Sequence, residues 1–173
     1  MEKTRDIVAA KLLSPTQLFN LVLTQIRKSK QIEDDHLVLL HHIFPRDFQK
    51  ALQIGETKVT KVVAPTDSFF RVAGTQQFDY LVRTETPWFC TCRAFNDRLA
   101  SSESTVCKHV IASAIFDATG SVEQQHLSDA ECARLCVGLL FAQETGDTNR
   151  QFTQQLASSR AADTPEPDRF VFG

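Results

Sequence analysis

Several things are scarce in this 173-residue chain, and each scarcity removes a class of protein. No apolar run approaches the ~18 residues that a membrane-spanning helix needs, so no segment is expected to cross a bilayer. No charge dominates: 19 basic side chains face 21 acidic ones, with a net charge of -2 and a pI near 6.2. That balance excludes a grossly basic nucleic-acid binder and leaves room only for a local basic patch. Met1 to Ala10 carry Glu2, Lys3, Arg5 and Asp6 and no apolar stretch, so no secretory leader is expected. There is no tandem repeat and no collagen-like or Gln-rich tract. Five cysteines in a chain without a leader point to metal ligands or reduced core thiols rather than a disulfide framework. The expected compartment is therefore cytosolic or nuclear.

What is present suits one domain of ordinary size, large enough to bury a core, plus tails. Ser14 is a candidate N-cap, Pro15 fits the first helical position and Gln17 completes a capping box. Leu18, Leu21, Val22 and Ile26 then form one apolar stripe, and Arg27, Lys28 and Lys30 suit the helix end electrostatically. Together with Phe19 and Leu23 the apolar residues cover more than one side, so a partner is expected on one of them. A second helix, from about Asp34, carries Leu37, Leu40 and Phe44 up to Pro45; a third, Arg46 to Ile54, stops at Gly55.

The period then changes. Thr57 to Val63, Ser68 to Ala73 and Gln77 to Thr84 are rich in β-branched and aromatic residues, with turn signals at Ala64-Pro65-Thr66-Asp67 and Gly74-Thr75. They predict a three-stranded antiparallel meander with one face against the helices. A polar stretch through Ser101 to Thr105 precedes a helix from Cys107 to Gly120. Ser128 and Glu131 open a last helix that runs to about Glu144. The fold class is α+β. The expected organisation is a helical segment over 1–56 as the partner-binding candidate, meander plus zinc finger over 57–120, and a C-terminal helix within 121–145. A disordered tail is expected over 146–173, ending in Phe170-Val171-Phe172.

The most informative pattern is Cys90-x-Cys92, fourteen residues, then Cys107-x-His109. Zinc takes four tetrahedral ligands, and thiolate and imidazole are its preferred donors. Two close pairs, one at a strand end and one at a helix start, can grip one ion from opposite sides. All four positions are then filled by protein, which marks a structural site rather than a catalytic one. Three thiolates and a neutral imidazole leave a centre of net charge about -1, which the neighbouring Arg93 and Lys108 could offset. The competing reading, chance proximity of reduced core cysteines and a histidine, has to explain the same one-residue spacing twice.

Phe89-Cys-Thr-Cys-Arg-Ala-Phe95 and Val106-Cys-Lys-His-Val110 resemble a SWIM-type zinc finger. The arrangement of helices, meander, motif and final helix is similar, from about Leu37 to Leu140, to the SWIM-bearing subunits of the Shu complex. Phe70-Arg-Val-Ala-Gly74 and Cys107-Lys-His-Val-Ile111 are the firmest stretches of that likeness. Arg93 stands where many members carry proline, a departure that bears on the turn and leaves the ligands intact. The resemblance implies one structural Zn2+ on Cys90, Cys92, Cys107 and His109. It also implies a RecA-like recombinase paralogue as partner, action on single-stranded DNA through the complex, a nuclear location, and support of recombinase filaments without catalysis. The alternative is a stand-alone SWIM-type nucleic-acid-binding regulator, derived from a transposase-like protein.

Other chemistry-bearing residues read more plainly. Cys132 and Cys136 share a stripe with Leu135, Leu139 and Leu140 and are expected as core filler, with only His126 nearby as a further donor. His41 and His42 are adjacent, face different ways on a helix and are expected at the surface. No thiol enzyme is expected, because the Cys107 thiolate next to His109 would be held by the metal. Around the finger, Arg83, Arg93, Arg98 and Lys108 are balanced by Glu85, Asp97 and Glu103, too evenly for a DNA-binding face.

Overall fold

A computed structural model describes residues 13–74, 78–100 and 106–145. The expected tail, 146–173, and the polar stretch 101–105 lie outside the described residues, as do Lys3, Arg5 and Lys11. The described elements are three helices, α1 (Pro15–Ser29), α2 (Asp34–Ile43) and α3 (Pro45–Leu52), then strands β1 (Val59–Val63), β2 (Ser68–Ala73), β3 (Asp79–Arg83) and β4 (Phe89–Cys90). Helices α4 (Arg93–Ala100) and α5 (Lys108–Thr119), strand β5 (Glu123–His126) and helix α6 (Asp129–Thr145) follow. The fold is α+β, as the alternation of periods predicts.

Local chemistry sets the helix ends. The Ser14 hydroxyl accepts from Gln17 N–H at 3.3 Å while the Gln17 side chain accepts from Ser14 N–H at 2.8 Å. The Ser128 hydroxyl and Glu131 carboxylate make the same reciprocal pair ahead of α6. Pro45 does not kink one helix but separates two: α2 ends at Ile43 and Pro45 opens α3, with Phe44 between them. At the end of α5, Gly120 takes φ +79°, a left-handed cap that favours glycine.

α1 buries Val22 and Ile26 of the expected stripe, but Phe19 and Leu23 complete the buried face in place of Leu18 and Leu21. Phe19, Val22, Leu23 and Ile26 are at most 1% exposed, whereas Leu21 is 52% exposed. Both sets have helical spacing, and the winning one carries the phenyl ring, which removes more apolar area from water. Phe19 meets Phe44 and Trp88 edge-on, with centroids 5.3 and 5.5 Å away.

The sheet has five strands in the order β4-β3-β2-β1-β5, two more than the meander. β1, β2 and β3 pair antiparallel in register Val62↔Phe69 and Phe70↔Val82, and β4 adds Val82↔Cys90. β5 pairs parallel to β1, Thr60↔Glu123 through Val63↔His126. Both faces are covered. Phe70, Val72, Val82 and Cys90 face the helical core around α5, while Val62, Phe69 and Leu81 face Cys132, Leu135 and Leu139 of α6. Buried Phe69 and Phe70 point to opposite sides, as successive strand residues must. No helix among the described residues is long and apolar enough to cross a membrane.

Candidate metal centre

Three elements deliver the four donors. Cys90 ends β4, Cys92 lies two residues on, and Cys107 and His109 stand at the start of α5. The turn between the first two is tied to β3 from both sides. Thr91 N–H donates to the Leu81 carbonyl at 3.1 Å, and Leu81 N–H donates to the Thr91 hydroxyl at 3.1 Å. That clamp holds Cys90 and Cys92 on one side of the strand end. The Cys92 carbonyl then accepts from Phe95 and Asn96, starting α4 immediately behind the ligand. Arg93 is the first residue of that helix, a position that proline also suits, so its presence leaves the turn intact.

α4 was not legible as a helix in the sequence. It returns the chain toward α5, with Phe95 buried against Phe89 at 6.1 Å between centroids. Arg98 on α4 donates to the Val106 carbonyl and pairs with Asp47 of α3 at 2.7 Å. It thereby fixes the residue just before Cys107. Arg98 is thus a positioning residue and not part of an open basic surface. Arg93 does not balance the centre either: it is 94% exposed in its side chain and pairs with Asp97 at 3.7 Å.

The structure brings all four sequence-predicted residues together. Their ligand atoms lie within 4.8 Å of one another and all four residues are buried. A zinc tetrahedron with Zn–S near 2.3 Å and Zn–N near 2.0 Å has edges of about 3.5–3.8 Å. Cys90 Sγ and His109 Nδ1 are 3.7 Å apart, on that scale. The donor set therefore fits one zinc ion.

The protonation balance agrees. Burial pushes the Cys90 thiol well up, whereas hydrogen bonds from Cys107 and Cys90 hold Cys92 far below the usual thiol range. Three thiols in one dry pocket cannot all become thiolates without a cation among them. Tyr80 closes one side, its ring stacked on His109 with centroids 4.3 Å apart and planes at 26°. Burial raises the Tyr80 phenol, as does negative charge on Cys92 and Cys90, so it stays neutral. Tyr80 and Thr91 have no spacing signature that marks them in the sequence; each is found only through its contact with a ligand.

The other candidates stay apart. Among the described residues no second cluster of donors exists. Cys132 is buried with Leu135 and Leu139 and Cys136 is half-buried beside them, as core filler. His41 and His42 are exposed. His36, which the sequence does not single out, is buried and ties α2 to α1, its Nε2 3.2 Å from the Gln25 side-chain oxygen.

Paired Cys/His donors at a strand end and a helix start, on the edge of a small sheet, define a SWIM-type zinc-finger protein. The chain is similar to zinc finger SWIM domain-containing protein 7 of Danio rerio, 32% identical over 109 residues that cover 61% of this chain and 77% of the relative. The Mus musculus protein of that name is 26% identical over 122 residues, 69% of this chain and 80% of its own. The Dictyostelium discoideum homologue is 27% identical over 114 residues, 64% and 72%. No family profile and no solved structure matches the chain. The chain belongs to the zinc finger SWIM domain-containing protein 7 family.

Proposed function

We propose that this chain is a non-catalytic, zinc-binding subunit of a Shu-like complex. In that complex it pairs with a RecA-like recombinase paralogue, and the pair supports recombinase filaments on single-stranded DNA during homologous recombination in the nucleus. One observation carries the reading: in a member of this family, four buried protein donors fill every position that a tetrahedral zinc offers. A centre closed in this way has no position for water or substrate, so it serves architecture.

When bound, the ion joins the β4 end to the α5 start and neutralises thiolates that burial alone would keep protonated. The rest is done by the chain. Thr91 and Leu81 hold the first pair of donors, Arg98 and Asp47 hold the approach to the second, and Tyr80 fixes the plane of the His109 ring. Helices α1 and α3 pack on α5, and α2 joins them to complete one surface. Leu21 and Val38, 52% and 70% exposed, lie on helices of that surface and are available to a partner.

Affinity purification of the tagged full chain, with identification of what co-purifies, tests the proposal. A RecA-like ATPase paralogue is the expected companion, lost when Cys107 is replaced by serine. Recovery of no such chain under mild conditions overturns the assignment.

A further inference from the structure

Five basic side chains of the described residues are tied to carboxylates: Lys61 to Asp117, Arg71 to Asp79, Arg83 to Asp67, Arg93 to Asp97 and Arg98 to Asp47. Several other basic side chains of the described residues, Arg27, Lys28 and Arg46 among them, form no such pair, but three lysines stand out because they converge. Lys50 of α3, Lys58 of the 3-10 turn Glu56–Lys58 and Lys108, the first residue of α5, line one concavity of about 160 Å³ beside the metal centre. Among the described residues no acidic side chain lines it and none of the three lysines forms an ion pair. Glu56 shares the turn with Lys58 but is not part of the lining.

The walls are as specific as the charge. Tyr80 and His109 form one side, stacked on each other. Gly74 forms another, and there a side chain is excluded: a Cβ would collide with the Phe78 carbonyl and come within 2.9 Å of the Tyr80 ring. The positive end of α5 adds to the field of the lysines. Neutralising the metal centre does not account for them. Three lysines against a centre of about -1 leave about two positive charges over. The volume is below the ~300 Å³ at which pockets begin to enclose drug-sized ligands, and it suits a tetrahedral anion.

We propose that this concavity is a phosphate site that grips the backbone of a single-stranded nucleic acid. Lysines beside an aromatic ring are the combination such strands use, with the phosphate taken by cations and the chain tracking past the ring. The choice of a single strand rests on the function proposed above; the phosphate chemistry rests on the lysines alone.

The test uses the zinc-loaded full chain and fluorescence anisotropy of a labelled oligothymidylate across a salt series. The wild type is compared with the triple variant K50Q/K58Q/K108Q. Wild-type binding is expected, weakened on the order of tenfold at low salt in the variant, with a log–log salt slope shallower by about 2. The variant should keep one zinc per chain. No binding by the wild type, or equal binding by both, overturns the proposal. So does loss of zinc from the variant, which would make the lysines counter-charges of the metal centre. Displacement of the oligonucleotide by inorganic phosphate at equal phosphate concentration would show a free-anion site, and equal displacement by polyglutamate a site for acidic protein; each overturns it. The two readings fail separately. Lysine-independent binding with the RecA-like companion recovered removes only this inference, and lysine-dependent binding without that companion removes only the function proposed above.

Discussion

The two faces of the sheet use the same residue type to opposite ends. On the helical face Cys90, Cys92 and Cys107 converge with His109, and burial there comes with a site that fits a metal. On the other face Cys132 is equally buried, yet its neighbours are Val62, Phe69, Leu81, Leu135 and Leu139. Burial pushes the thiols of Cys132 and Cys136 up as well, but among the described residues no cluster of three or more ligand atoms forms around them. A cysteine becomes a ligand through what the chain brings to it. In these two regions α4 and the Arg98 tether make that difference, since they return Cys107 to Cys90 across the intervening residues.

Variants can break or sharpen this contrast. The largest effect is expected for Cys107→Ser, which removes a donor worth part of a folding contribution on the order of 10 kcal/mol from structural zinc. Zinc content should fall below one per chain, with loss of the cooperative thermal transition; a variant that keeps both would show the thiols to be filler on this face too. Leu139→Ala should destabilise by about 2–5 kcal/mol in urea titration while zinc content stays unchanged, because α6 packs on the metal-free face. Cys132→Ala should cost about 1 kcal/mol and likewise leave the metal in place. A fall in zinc content for either would mean that the faces are coupled.

The smallest effect concerns Asp67 and Arg83. Arg83 donates to the Asp67 carboxylate at 2.9 and 2.6 Å and holds it below its ordinary value of 3.8, against a smaller upward push from burial. A carboxylate depressed by folding adds stability that is fully present above its unfolded value and lost as pH falls through the folded one. With both side chains about 40% exposed, the pair should contribute less than about 1 kcal/mol. Asp67→Asn should therefore lower the urea midpoint slightly at pH 6, and the gap from the wild type should close as pH drops below 3.8.

Features set by neighbours in the chain were legible from sequence. The Ser14 and Ser128 boxes, the Gly120 cap and the two Cys/His pairs each depend on residues a few positions apart. What depends on distant partners was not. β5 reads Glu-Gln-Gln-His, with no β-branched residue, and is a strand only because β1 lies alongside it. α4 is short and polar on most of its surface, and packing of Phe95 with the Arg98 tether decides it. The phase of α1 turned on which of two helically spaced apolar sets faced Trp88 and Phe44. Lys50, Lys58 and Lys108 carry no shared signal, since three separate elements bring them to one place.

Because α5 is buried from Val110 to Ile115 and receives α1 and α3 on its sides, the N-terminal helices have no floor until it exists. During synthesis Phe19, Val22 and Ile26 emerge 93 to 100 residues before Thr119. At about 5–20 residues per second, that greasy stripe waits on the order of five to twenty seconds for its cover. The nascent chain therefore has a window in which a chaperone, or an early-bound companion subunit, can reach a surface that the finished protein conceals.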